Sequence, residues 1–137
     1  MTDSNDSTPI FRSITVHPSG VVVTLGQPLS AEAMALCVPA GPNKFKLKDG
    51  TYKRAETIIF VLGVGAAVQQ MDFSYAKGTD YQDLLADFEN ELGPPDQQSG
   101  DKGRQLSVWE DDSTRFALQN SPSGITSELT NLAPTGS

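Results

Sequence analysis

The residues able to do chemistry are few. The chain holds one histidine, His17, and one cysteine, Cys37. A lone histidine cannot build a zinc site from histidine pairs, and a lone cysteine cannot close an internal disulfide. Nothing near Cys37 in sequence favours its thiolate, so it reads as a small buried hydrophobe. His17 sits beside Pro18 in a turn and reads as solvated. Asp111 and Asp112 are adjacent at a predicted hairpin tip, where neighbouring carboxylates point apart and lack a third metal ligand. No serine, cysteine or lysine stands in a recognisable nucleophile motif. Gly63-Val64-Gly65 follows an apolar run, but the third glycine of a dinucleotide-binding G-x-G-x-x-G falls on Val68, so these residues read as a turn between strands. The expectation is a protein without catalytic residues, metal or cofactor.

What remains are two charge clusters. Lys44, Lys46, Lys48, Lys53 and Arg54 place five of the ten basic residues within eleven positions. Such a stripe suits an anionic ligand, and lysines also guard an edge strand against pairing with other chains. Asp80, Asp83, Asp87 and Glu91 recur at helical spacing, with Glu110, Asp111 and Asp112 nearby in the layout. Together they form a candidate acidic face for a basic protein partner, steered by complementary charge. The same carboxylates also suit the wet side of a helix. Residues 1–54 carry six basic and four acidic groups (+2), and residues 55–137 carry four and thirteen (−9).

These features exclude several classes. A net charge of −7 argues against nucleic-acid binding, which needs a cationic surface. No apolar run approaches the roughly 18 residues of a membrane span. The opening MTDSNDSTPI lacks the basic and apolar regions of a secretory signal, so no membrane association and a cytoplasmic location are expected. The leading expectation is a small bacterial-type, non-catalytic protein-binding module using its acidic face. One alternative is an immunity-type protein that neutralises a basic toxin. Another is a small-ligand carrier, with an apolar pocket between sheet and helix lined by Phe60, Met71, Phe73, Tyr75 and Trp109.

The elements that must position these groups follow from periodicity. A chain of 137 residues fits one domain, placed at residues 10–132 between polar tails at 1–9 and 133–137 that read as disordered. Ile10 to Val16 and Val21 to Leu25 are rich in β-branched residues and flank a Pro-Gly turn, which predicts a hairpin. Ser30 caps a short helix over 31–38, and Pro39 stops it. Lys44 to Lys48 alternates as a strand with Phe45 and Leu47 on one face. TIIFVL at 57–62 is apolar on both faces, as in a strand covered on both sides. The helix 80–92 has Thr79 and Gln82 as a capping box, with Tyr81, Leu84, Leu85, Phe88 and Leu92 on one arc and Gly93-Pro94-Pro95 as its stop. Residues 96–104 read as a polar loop, 105–110 and 114–119 as a hairpin, and Trp109 as core beneath the helix. The resulting class is α+β: an antiparallel sheet of five to seven strands, with one long helix (80–92) and one short helix (31–38) packed on it.

Across residues 68–118 the chain shows V-x-x-M-x-F-x-Y, then Y-x-x-L-L-x-D-F-x-x-x-L-G-P-P, then V-W-x-D-D-x-T-x-F-x-L. This layout resembles the small α+β modules grouped around the BamE (SmpA/OmlA) lipoproteins and the β-lactamase inhibitor protein. The resemblance implies a helix ending in L-G-x-P on an antiparallel sheet, and a protein that binds other proteins without an active site. It rests on structural motifs, and the lipid-bearing cysteine and internal disulfides of those proteins have no counterpart here.

Overall fold

The computed structural model describes residues 10–48, 50, 52, 55–76, 78–101 and 104–132. The expected tails, together with Lys53 and Arg54, lie outside the described residues. The β-branched opening folds as foreseen: β1 (Ser13–Val16) pairs antiparallel with β2 (Val21–Thr24). Alternation turns Ile14, Val16 and Val23 into the core. Helix α1 (Ala31–Ala35) begins at Ser30, whose Oγ accepts the Ala33 N–H at 3.1 Å.

An eight-stranded antiparallel sheet carries the rest. Its strands are β3 (Cys37–Gly41), β4 (Lys44–Leu47), β5 (Ala55–Leu62), β6 (Val68–Tyr75), β7 (Gln97–Asp101), β8 (Arg104–Glu110), β9 (Thr114–Ser121) and β10 (Gly124–Asn131). A 3-10 turn at Val64–Ala66 joins β5 to β6, the role read for the glycine pair. Helix α2 (Tyr81–Leu92) separates β6 from β7. The spatial order β3-β4-β5-β6-β10-β9-β8-β7 is two four-strand meanders meeting at the β6·β10 seam, each preceded by a helix.

This architecture overturns the α+β class. Among the described residues, strands hold 56% and helices 17%, with ten strands in two antiparallel sheets and only short helices. Three segments account for the change. The predicted helix 31–38 ends at Ala35, and Cys37–Gly41 runs on as edge strand β3, where a proline that lacks an N–H is tolerated. Residues Gln97–Asp101 of the polar loop form the opposite edge. The C-terminal segment supplies β10, a central strand. The expectation that β4 is a lysine-guarded edge also falls, because β3 covers it.

The core lies on one face of the large sheet. Tyr81, Leu84, Leu85, Phe88 and Leu92 of α2 are buried, and the Phe88 ring sits 4.7 Å from Phe116 and 6.3 Å from Trp109. Trp109 is 2% exposed, and its Nε1–H donates to the Gly93 carbonyl at 2.9 Å. Gly93 has φ 85° and its N–H returns to Glu89, ending the helix as the L-G-P-P run requires. On the other half of the same face, the β1·β2 hairpin supplies Ile14, Val16, Val23 and Leu25 to the core that also holds Phe60 and Met71. Arg12 ties the two halves together. Its Nη1 donates to the Ser113 carbonyl (2.7 Å) and Thr114 Oγ1 (2.8 Å), and its Nη2 donates to Asn131 Oδ1 (2.8 Å).

Candidate functional site

The seven carboxylates of the expected acidic face do not form one surface. Asp80 is the α2 N-cap: its Oδ1 accepts the Gln82 N–H at 2.9 Å, displacing Thr79 from the capping role. Asp83, Asp87 and Glu91 follow at four-residue intervals on the exposed side of the helix. Glu110 points from the opposite face of the sheet, 3.6 Å from Arg115. Asp111 is a structural clamp, accepting the backbone N–H groups of Ser113 (2.9 Å), Thr114 (2.8 Å) and Ile10 (3.2 Å). Partial burial works to raise its pKa, but these donors outweigh it and hold the carboxyl below its ordinary value. Asp112 is exposed at the hairpin tip.

The candidate catalytic groups are similarly dispersed. His17 is exposed. Cys37 is half-buried, and burial pushes its thiol pKa up, away from the nucleophilic thiolate. Tyr52 and Tyr75 rise to about 12, chiefly through burial. Among the described residues, no three His, Cys, Asp or Glu side chains are grouped to hold a metal ion. Of the proposed carrier pocket, Phe60, Met71, Phe73 and Trp109 are 0–2% exposed and belong to the hydrophobic core.

The large sheet has a second face, and the described helices and hairpin all pack on the first. Strand alternation sends three rows of side chains onto this open face. The middle row reads Val38, Lys46, Ile59, Asp72, Glu128 and Ala117 across six strands and ends on β8 at Val108, where the face closes, since Val108 is only 2% exposed. Beside it run Lys44, Val61, Gln70, Thr130, Arg115 and Glu110 on one flank. On the other run Thr57, Ser74, Thr126, Gln119 and Leu106. Lys44 and Lys46, from the basic stripe, are exposed on this face. Lys48 follows the strand, also exposed.

Two features stand out. Ile59, Val61, Leu106 and Ala117 are half-buried apolar residues, although among the described residues no element packs over them. The doubly apolar TIIFVL run therefore has one face in the core and the other open, where cover on both sides was expected. Asp72 and Glu128 are direct cross-strand partners, a like-charge pairing that costs stability. Gln70 Nε2 donates to Asp72 Oδ1 at 2.7 Å. No salt bridge among the described residues reaches either carboxylate, nor Lys44 or Lys46. A groove of about 460 Å³ runs here, with Ile59, Asp72, Leu106, Arg115, Ala117 and Glu128 among its lining. A smaller cavity of about 290 Å³ lies between the start of α2 and β7–β8, where Tyr81 and Ser107 share a 2.9 Å hydrogen bond.

Asp72, Glu128, Ile59, Val61, Leu106 and Ala117 were not among the site residues foreseen from sequence. Only TIIFVL carried a signal, an apolar face in excess of what the core needs. Among the described residues, no helix is long and apolar enough to cross a membrane. No protein-family model matches the chain, and neither a characterised protein nor a solved structure matches it significantly.

Proposed function

We propose that the chain is a non-catalytic protein-binding module whose docking surface is the open face of the eight-stranded sheet. One observation carries this reading: a broad face with half-buried apolar side chains between charged groups, over which no described element packs. Exposed apolar patches rimmed by charge mark interaction surfaces. This moves the binding site from the exposed stripe of α2 to the far side of the molecule. The resemblance of residues 68–118 to BamE-like and inhibitor-like modules points the same way, because members of known role bind other proteins. His17, Cys37 and the Asp111-Asp112 pair lie apart from one another, which supports a binding role over a catalytic one. A basic partner, including a toxin in the immunity-type version, would engage Asp72 and Glu128 on this face.

Immobilised protein tests the reading through three variants. Ile59→Arg and Ala117→Arg each place a cation in the middle of the open face. Asp83→Lys with Asp87→Lys reverses the helix stripe. Partners captured by the wild type and identified by mass spectrometry should be lost with the first two variants and retained with the third. Retention with both face variants would overturn the assignment.

A further inference from the structure

The middle row has an internal order. From β4 through β5 to β6 it reads cation, apolar, anion: Lys46, Ile59, Asp72. A two-fold axis lying in the face and running along β5 reverses that order, so a second copy laid face to face presents anion, apolar, cation. Lys46 of each copy then meets Asp72 of the other, Ile59 meets Ile59, and Val61 meets Val61. In the flanking row Lys44 meets Gln70. Isologous contact demands this kind of self-complementarity, in which residue i touches j and j touches i.

We infer that the chain self-associates through the β4–β6 part of its open face, the second copy being the partner whose chemistry fits. This rests on the proposal that the open face is a docking surface. Three observations support it beyond the order of the row. No salt bridge among the described residues of the isolated chain reaches the Asp72–Glu128 pair, Arg115 in the same groove being paired with Glu110, and the second copy's Lys46 would stand over Asp72, one strand from Glu128. Val38, one of the few large hydrophobics exposed at 37%, lies at the end of the same row, where the aliphatic stem of the second copy's Glu128 would cover it. Sheets stacked face to face lie about 10 Å apart, a gap that extended lysine and aspartate side chains bridge from the two sides.

The footprint sets the expected strength. Five strands about 4.8 Å apart, each contributing about five residues of about 3.4 Å, cover about 400 Å² per copy. That is about half the roughly 800 Å² per partner of a standard interface, so the dimer belongs to the weak, salt-sensitive class.

Sedimentation velocity from about 1 µM to about 1 mM tests the inference, because weak complexes populate in that range. Wild type should pass from monomer to dimer. Lys46→Glu and Asp72→Lys should each weaken association by at least about tenfold, since every reversal occurs twice in a symmetric dimer. Mixing the two single variants should restore it. In that heterodimer the carboxylate introduced at position 46 of one copy faces the ammonium introduced at position 72 of the other, while native Lys46 and native Asp72 still face each other across the axis. Circular dichroism checks that each variant is folded, and Glu128→Lys replaces Asp72→Lys should the latter not fold, with weakened association expected. A wild type that stays monomeric to the top of the range, or a mixture no more associated than its components, would overturn self-association. Neither result touches the broader docking proposal, which falls only if Ile59→Arg and Ala117→Arg leave capture of other proteins unchanged.

Discussion

Replacing Phe88 with alanine tests whether α2 is anchored as described. Phe88 is 4% exposed, with its ring 4.7 Å from Phe116 and 6.3 Å from Trp109. Truncating a buried phenylalanine costs about 3–5 kcal/mol, combining lost transfer energy with the cavity left behind. Aromatic pairs add about 0.5–1.5 kcal/mol beyond their buried area, which places this site near about 4 kcal/mol. Domains of this size have about 5–15 kcal/mol in all, so the variant should fold with much reduced stability. With a urea m-value of about 2 kcal/mol per molar, the midpoint should fall by about 2 M. Trp109, the only tryptophan and 2% exposed, reports the transition through its fluorescence. Phe88→Leu, which keeps most of the volume, should cost less than about 1.5 kcal/mol. A loss below about 1 kcal/mol for the alanine variant would refute the packing of α2 on β8 and β9.

Asp111→Ala should destabilise by about 1–2 kcal/mol at neutral pH, because the N–H groups of Ser113 and Thr114 lose their acceptor. The Asp111 pKa is lower in the fold than in the unfolded chain, so its contribution is complete above the ordinary value near 3.8. It is lost as pH falls through the folded pKa, and wild-type and variant stability curves should converge there. Asp83→Lys with Asp87→Lys should leave the unfolding free energy within about 1 kcal/mol of wild type, since surface substitutions rarely cost more than about 0.5 kcal/mol each. Unfolding of that double variant would make the helix stripe structural. Cys37, half-buried with its thiol pKa raised, should react with a disulfide reagent at pH 8 far more slowly than free cysteine and quickly once urea unfolds the chain.

Local signals were legible wherever short-range physics decides. The α2 boundaries and buried face match their periodicity and the Gly93-Pro94-Pro95 stop within a residue. The β1·β2 and β8·β9 hairpins stand where their alternation places them. The β10 segment is only partly legible: Ile125, Leu129 and Leu132 suit one more short strand or a turn of helix. Its full length and central place are masked because its inward positions include Ser127 and Asn131, whose partners Tyr75 and Arg12 are 52 and 119 residues away. Polar residues at core positions erase the alternation that marks a strand, and only their distant hydrogen-bond partners make that burial tolerable. Strand β7 was hidden by its polar, glycine-containing composition. Gly100, at φ 112°, lies so close to the Arg104 carbonyl that a Cβ there would collide with it.

The candidate site was less legible than the fold. A helix stripe shows in sequence because its spacing is local, and so the acidic residues of α2 drew attention. The open face is assembled from strands whose neighbours are set by register: Lys46, Ile59, Asp72 and Glu128 come from four strands spread over more than eighty positions. By itself the sequence determined the buried face of α2, the β1·β2 and β8·β9 hairpins, the aromatic core around Trp109 and the scarcity of histidine and cysteine, since each is set by composition or by neighbours a few residues apart. Tertiary structure alone decided the mostly-β class and which face of TIIFVL stays open, because sheet order joins residues by hydrogen bonds between distant strands, and those bonds leave no periodic trace along the chain.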